Sequence, residues 1–506
     1  MRLYESLLYI ATVCTIFNNN VPHQHHIASA NLALHIAHFI LEGERFTLYP
    51  VYCIAIYTSI NILLSDTGVL KPTTAAYTTT ILLIITMLSA LASYVLKVGK
   101  LPDLTGKYKQ ISCTVKYLSS DHITSINSKF DINELDSDAL NNPFIPQYNE
   151  SKLQLVVKFY YPTAIKQYNQ LSRMQYTNGR VAAAIAKYGS IPSFIMKPIT
   201  YMKLHSSPDL PVIQQPDKLP VIIFSHGLGG HADVYSAMCE DLASHGYIVV
   251  VPTHNDHSAC ISELPNEGII EHHYLTSDEL KSHVAILIRQ AQLCRRVREL
   301  KWLTDYIIHS EKNNRWGQNF TVDNKSMTIN QTNKFNIAQR FDLDRIAAVG
   351  HSFGGISVCS YAAVDSRIKA VLGHDTWFLP IAKSLLSNGV KQPLLQTVSE
   401  HFYKWSENWD VQQQFIHASR KHNNQQIDQC LVFHGTRHNN FSDVAAWNPV
   451  LTRVIKAIGS IDEQTAFKQI NTVQYLWIDQ QLDVNINNPS ITLDEYIRSQ
   501  SNIKHQ

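Results

Sequence analysis

Apolar and polar positions divide this chain into two unlike regions. In the first hundred residues the apolar positions fall in long uncharged runs: twenty residues from Phe46 to Ser65 and twenty-five from Pro72 to Leu96. Each is long enough for a helix that crosses a hydrocarbon core, which takes roughly 20 apolar residues. Two shorter runs precede them at 7–17 and 27–41, the second interrupted by His35 and His38. Arg2 is a thin basic flank, and Asn18 to Pro22 contains no small-residue cleavage site, so the first run reads as a retained helix rather than a signal peptide. The pattern predicts a helical membrane region over 1–100, with spans near 46–65 and 72–96 and two weaker ones at 7–17 and 27–41. Lys97, Lys100, Lys107 and Lys109 follow the last run, whereas 18–26 holds neither Lys nor Arg. By the positive-inside rule this predicts a multi-pass membrane protein, bound to the bilayer through its N-terminal helices, with the remainder on the cytoplasmic side.

From about Leu101 the pattern changes to short apolar runs alternating with helical stretches, which predicts an α/β layer architecture over 101–506. Candidate strands are 112–117, 153–160, 221–225, 247–251, 346–349, 368–372 and 430–433. The first two are expected to pair as an antiparallel hairpin. The later ones are four or five apolar residues each, the signature of strands buried on both faces. Residues 279–310 read as one long helix, with Arg295, Arg296 and Arg298 on a solvated face. The segment 311–336 is polar and Asn-rich, and reads as a surface excursion carrying Asn-x-Ser/Thr matches at Asn319, Asn324 and Asn330.

Composition narrows the function classes. Lys and Arg number 43 against 41 Asp and Glu, so no global basic surface suits nucleic acid. The eight cysteines show no paired spacing for a disulfide framework or a zinc site. Histidine clusters at His23–His26, at His254, Asp256 and His257, and at His272–His273 lack a metalloprotease spacing. The expectation is therefore no metal and no cofactor.

The chemistry is carried by Gly350-His351-Ser352-Phe353-Gly354, placed directly after the apolar run 346–349 and before a helix-like stretch. Gly-x-Ser-x-Gly between a strand and a helix is a nucleophile elbow: a strained turn projects the hydroxyl, and flanking glycines let neighbouring chain approach. A serine needs a base and an orienting carboxylate, expected in the order Ser, Asp, His. Asp375 follows the strand 368–372, and His438 follows the strand 430–433 and a Gly-Thr-Arg turn. Acyl transfer also needs donors for the developing oxyanion. The N–H of Phe353 is one candidate. The N–H of Leu228, in His226-Gly227-Leu228-Gly229-Gly230, is the other, although Gly-Leu-Gly-Gly also suits a plain tight turn. Trp377, Phe378 and Leu379 are candidates for lining a substrate pocket, or equally for ordinary core.

These stretches, together with PVIIFSHGLGGHADVYSAMCEDLASHGYIVVVPTHNDHSA, IAAVGHSFGG, VLGHDTWFLP, QPLLQTVSEHF and HGTRHNNFSD, resemble the platelet-activating factor acetylhydrolases of the plasma and type II intracellular kind. The likeness covers roughly 105–450. It implies an α/β-hydrolase fold and a calcium-independent esterase that removes short or oxidised sn-2 acyl groups from phospholipids. Carried over residue by residue, it implies Ser352 as nucleophile, Asp375 as acid, His438 as base, and Leu228 and Phe353 as oxyanion donors. The first hundred residues, including HFILEGERF, instead look like the multi-span extensions of some bacterial predicted dienelactone-hydrolase-type proteins. Two further readings stay open: a carboxylesterase of soluble esters, since a Ser-His-Asp site does not dictate the leaving group, and a membrane sensor whose hydrolase domain only binds.

Overall fold

The structure is a computed structural model that describes residues 3–17, 23–42, 48–63, 76–95, 99–120, 153–165, 173–264, 268–281, 284–314, 316, 319–322, 327–330, 336–422, 430–484 and 491–506. It falls into two compact units, Met1–Val98 and Gly99–Gln506.

In the second unit the strands are β1 (Ile111–Ser119), β2 (Gln154–Pro162), β3 (Ser207–Pro208), β4 (Leu219–Ser225), β5 (Ile248–Thr253), β6 (Ile261–Leu264), β7 (Gly268–Glu271), β8 (Asn319–Val322), β9 (Met327–Asn330), β10 (Phe341–His351), β11 (Ile368–His374), β12 (Leu394–Ser399), β13 (Cys430–Phe433) and β14 (Ile503–His505). One sheet runs β14-β13-β12-β11-β10-β4-β5-β2-β1-β8-β9, with β3 beside β1. Its centre, from β5 through β4, β10, β11 and β12 to β13, is parallel. The hairpin β1–β2 is antiparallel, as the sequence pattern predicts. Every residue of β4 and β5 is buried, because helices cover the sheet and leave those strands no solvent face.

Five helices matter for the site: α5 (Ser236–Ser244), α6 (Val284–Asn313), α7 (Phe353–Val364), α8 (Ser406–Arg420) and α9 (Glu463–Gln481). Within the sheet, Gly350 of β10 is level with Ser225 of β4 and with Gly373 of β11. The loops that leave these three strands therefore emerge side by side at the carboxyl edge, where open α/β sheets place their sites.

Several expectations change. The predicted helix over 279–310 is a short helix, Ser277–Lys281, followed by α6, with 282–283 outside the described residues. Arg295 and Arg296 do not form a solvated face: they are 5% and 0% exposed. Their charge is matched by Glu299 and Asp256 inside the protein, a pairing that a helical-wheel reading of α6 alone cannot see. The Asn-rich excursion contains the antiparallel pair β8–β9, joined to β1 at Lys116–Asn319; Asn324 lies outside the described residues. β12 has no counterpart among the predicted strands because Gln396 and Thr397 interrupt its apolar run. Both are satisfied inside the sheet, by Thr376 and His374 respectively.

The first unit contains α1 (Leu3–Phe17), α2 (Gln24–Glu42), α3 (Tyr49–Leu63) and α4 (Ala76–Val95). Among the described residues no helix is long and apolar enough to cross a membrane. This overturns the multi-pass localisation, the cytoplasmic placement of the remainder included, and leaves the bilayer as a partner of these helices and the likeness to multi-span extensions without support. The physical reason is that an uncharged run is not yet an apolar helix. α1 and α3 have 15 residues each, a rise of about 22 Å against a hydrocarbon core of about 30 Å. The first turn of α4 is Ala76-Tyr77-Thr78-Thr79, followed by Thr80. α2 buries Asn31, His35 and His38, which bond to Ser59, Thr12 and Tyr52 of the neighbouring helices.

Candidate active site

Ser352 stands between β10 and α7 with φ 58° and ψ −120°, a conformation that L-residues rarely adopt and that persists only when its surroundings enforce it. Here three backbone bonds do so. The Ser352 N–H donates to His374 O at 2.8 Å, and Ser352 O accepts from the N–H groups of Gly355 (3.0 Å) and Trp377 (3.1 Å). The elbow also needs glycine on both sides. A Cβ on Gly350 would sit 2.2 Å from Gly354 O, and one on Gly354 would sit 2.0 Å from Ser225 O.

Asp375 leaves the end of β11 with φ 44° and is fully buried. Its N–H donates to Thr397 O of β12, which turns the side chain toward the end of that strand. There the carboxylate accepts the Ser399 N–H at Oδ1, and at Oδ2 it accepts the Ser399 hydroxyl (2.6 Å) and His438 Nδ1–H (3.0 Å). A carboxylate only accepts, so Nδ1 of His438 carries the proton and Nε2 keeps its lone pair. The imidazole is held flat against Phe402, with ring centroids 4.4 Å apart and planes 3° apart. His438 is 30% exposed, so this ring is the part of the pair that solvent and substrate can reach.

The loop after β4 lies against the elbow: a Cβ on Gly227 would be 3.2 Å from Ser352 Cβ. Among the described residues neither Leu228 N–H nor Phe353 N–H has a hydrogen-bond partner within the protein. Tyr235 joins this loop to the elbow. Its hydroxyl accepts Gly227 N–H (3.0 Å) and donates to His351 Nδ1 (2.9 Å), while His351 Nε2–H donates to His438 O (3.2 Å). Burial holds the His351 pKa well below its ordinary value, with His438 and His374 adding to the effect, so this linker is neutral.

The remaining predicted residues fall in different places. Trp377 is partly buried, with its ring 5.8 Å from that of Phe353, and Leu379 is half-buried. Phe378 is fully buried against Phe415 of α8, within the hydrophobic core. In the 254–257 and 272–273 clusters, the side chains of His254, His257 and His272 are engaged as hydrogen-bonding groups. His254 bridges Ser225 Oγ (2.9 Å) and Glu299 (2.7 Å), and His272 Nδ1 faces the carbonyls of Ser258 and Ala259. Cys359 and Cys430 are buried free thiols.

Sequence reasoning missed Ser399, Phe402, Tyr235 and His351. Ser399 and Phe402 lie in the QPLLQTVSEHF stretch, and His351 is the variable position of the elbow itself, so each had a local marker. What was lacking was the register that brings β12 beside β11 and thereby sets Ser399 on Asp375.

Residues 147–496 match the family described as platelet-activating factor acetylhydrolase, isoform II. The chain is similar to the platelet-activating factor acetylhydrolase of Cavia porcellus, 26% identical over 281 residues that make up 54% of this chain and 59% of that protein. It is similar also to that of Canis lupus familiaris, 27% identical over 308 residues, 58% of this chain and 63% of that one. The chain thus spans about three fifths of the length of these curated relatives. Among solved structures it resembles a ferulic acid esterase from Streptomyces cinnamoneus, with a TM-score of 0.52, 16% identity, and coverage of 81% of this chain and 99% of that one. That likeness shows the α/β-hydrolase fold.

Proposed function

Since the chain belongs to the platelet-activating factor acetylhydrolase, isoform II, family, we propose that residues 101–506 form a serine ester hydrolase that cleaves short or oxidised sn-2 acyl esters of phospholipids. Ser352 attacks the ester carbonyl carbon while His438 Nε2 takes its proton. Asp375 holds the imidazole in the required tautomer and stabilises the imidazolium that forms. The carbonyl oxygen, now an oxyanion, accepts hydrogen bonds from Leu228 N–H and Phe353 N–H. Collapse breaks the bond to the leaving alkoxide, which takes the proton from His438 and departs as the lysophospholipid alcohol. Water, deprotonated by the same imidazole, then hydrolyses the acyl-serine. The electrophilic role falls to backbone N–H groups, so hydrolysis is expected to persist in excess chelator.

The observation that supports this reading most is the His438–Asp375 bond of 3.0 Å on the loops beside a serine held at φ 58°. The substrate class is carried by the family. The test compares the full chain and Ser352→Ala on phosphatidylcholines with sn-2 acetyl through palmitoyl chains and on p-nitrophenyl acetate, with fluorophosphonate labelling alongside. Expected are labelling at Ser352, faster turnover of the short sn-2 chains, and a loss in Ser352→Ala on the order of 10⁶. Wild-type turnover by Ser352→Ala would sink the nucleophile assignment, and turnover of the soluble ester alone would sink the phospholipid assignment.

A further inference from the structure

Arg296, on α6, is fully buried under the loop that follows β4, and its hydrogen bonds go to residues other than Ser352, Asp375 and His438. Its guanidinium is used on every side. Nε donates to Asp256 Oδ2 (3.2 Å) and Ser258 Oγ (2.9 Å), and Nη2 donates to Ser258 Oγ (2.6 Å). Toward the loop, Nη1 donates to His226 O (2.5 Å) and Nη2 to Gly227 O (3.4 Å). Its plane also lies over the Phe353 ring, 4.7 Å from the centroid, where a cation is attracted to the face of an aromatic ring.

Gly227 O is one end of the peptide group whose other end is Leu228 N–H. Besides Arg296, that oxygen accepts from His226 Nδ1–H (2.8 Å) and Gly230 N–H (3.1 Å). In a trans peptide the C=O and the N–H point in opposite directions. Donors that draw Gly227 O inward therefore turn Leu228 N–H outward, away from Arg296. A cation at the oxygen also polarises the amide and strengthens its N–H as a donor. The same guanidinium braces Phe353, whose N–H is the second donor, so one buried side chain reaches both halves of the oxyanion hole.

We propose that Arg296 is the positioning residue of the oxyanion hole, fixing and polarising the Gly227–Leu228 peptide through its carbonyl and seating Phe353 through its ring. This rests on the reading of Leu228 N–H and Phe353 N–H as the oxyanion donors. A buried pair broken on one side leaves an uncompensated charge, so Asp256 is neutralised together with Arg296. The variants are Arg296→Lys, which keeps the charge over Asp256 but loses the fork, and the double variant Arg296→Met with Asp256→Asn.

The experiment measures kcat and KM on a short-chain phosphatidylcholine, inhibition by a trifluoromethyl ketone analogue whose adduct carries the oxyanion, and binding of an ether analogue that has no carbonyl. Expected are a fall in kcat of about 100-fold in the double variant and about 10-fold in Arg296→Lys, matched by equal losses of ketone affinity, with KM and ether binding within about threefold of the native protein. Should the double variant fail to fold, the lysine variant decides the question by the same comparison. Native kcat in the variants, or equal losses of ketone and ether binding, would overturn the proposal by reducing Arg296 to a packing role. A native chain that fluorophosphonate does not label at Ser352 would instead overturn the underlying hydrolase reading.

Discussion

Replacing Asp375 with Asn is the perturbation whose consequence the structure defines most closely. The carboxylate faces three donors: Ser399 N–H at Oδ1, and Ser399 O–H and His438 Nδ1–H at Oδ2. A carboxamide has one accepting oxygen and one donating NH₂. If the oxygen takes the Oδ1 position, the NH₂ faces His438 and forces Nδ1 to become an acceptor. The proton then sits on Nε2, and the ring has no lone pair for Ser352. If the amide flips, the NH₂ meets Ser399 N–H, two donors face each other in a fully buried site, and the cost is about 1–3 kcal/mol. The first arrangement therefore prevails, with His438 in the wrong tautomer. The loss expected for this error is about 10⁴ in kcat, or about 5.5 kcal/mol in the barrier. Ser399→Ala removes a single charge-assisted bond and leaves the tautomer intact, so its expected loss is about tenfold, with some destabilisation from the lost cap on Phe402 N–H. The assay is kcat/KM on p-nitrophenyl acetate for both variants, with melting curves to show that each is folded. A folded Asp375→Asn within about 100-fold of the native protein, or a Ser399→Ala as damaged as Asp375→Asn, would refute the tautomer argument.

Two further outcomes follow from the packing. Gly354→Ala places a methyl 2.0 Å from Ser225 O, so α7 must shift away from β4; a lower melting temperature, by overpacking of about 1–3 kcal/mol or more, and a large loss of turnover are expected, and native values of both would contradict this close approach. The second concerns pH. His374 is fully buried, Nε2–H donating to Gln474 and Nδ1 accepting from Thr397, and burial pushes its pKa down to about 4, as it does for His272. With an unfolded value near 6.5, the unfolded chain binds more protons between these values, so the stability contributed by each group is complete above pH 6.5 and is lost as pH falls toward 4, by up to about 3 kcal/mol per group. Denaturant titrations across that window are expected to show the decline, with a shallower slope in His374→Gln; an unchanged slope would refute the assignment.

Most of the central strands of the sheet were legible in the sequence because burial on both faces makes them predominantly apolar, with Lys369 the one charge inside the three runs named next. Val221 to Ser225, Ile346 to Val349 and Ile368 to Leu372 each lie within an observed strand. The elbow was legible for a local reason as well: a strained turn with neighbouring chain at 2.0 to 2.2 Å from a would-be Cβ accepts only glycine at its flanks, and that requirement is written in five consecutive residues. Other features depend on which elements become neighbours. Arg296 looks solvated on its own helix, and only the approach of the 226–230 and 256–258 loops makes it a buried charge with a matched carboxylate. β12 is a strand although Gln396 and Thr397 interrupt it, because Thr376 and His374 are there to bond them. The N-terminal runs lack charge, a property of composition; their helix lengths and the polar contacts of Asn31, His35 and His38 emerge only on folding. Local sterics and two-sided burial are recorded residue by residue along the chain. Charge compensation and hydrogen-bond satisfaction are properties of pairs, and the pairs exist only once tertiary structure has brought them together.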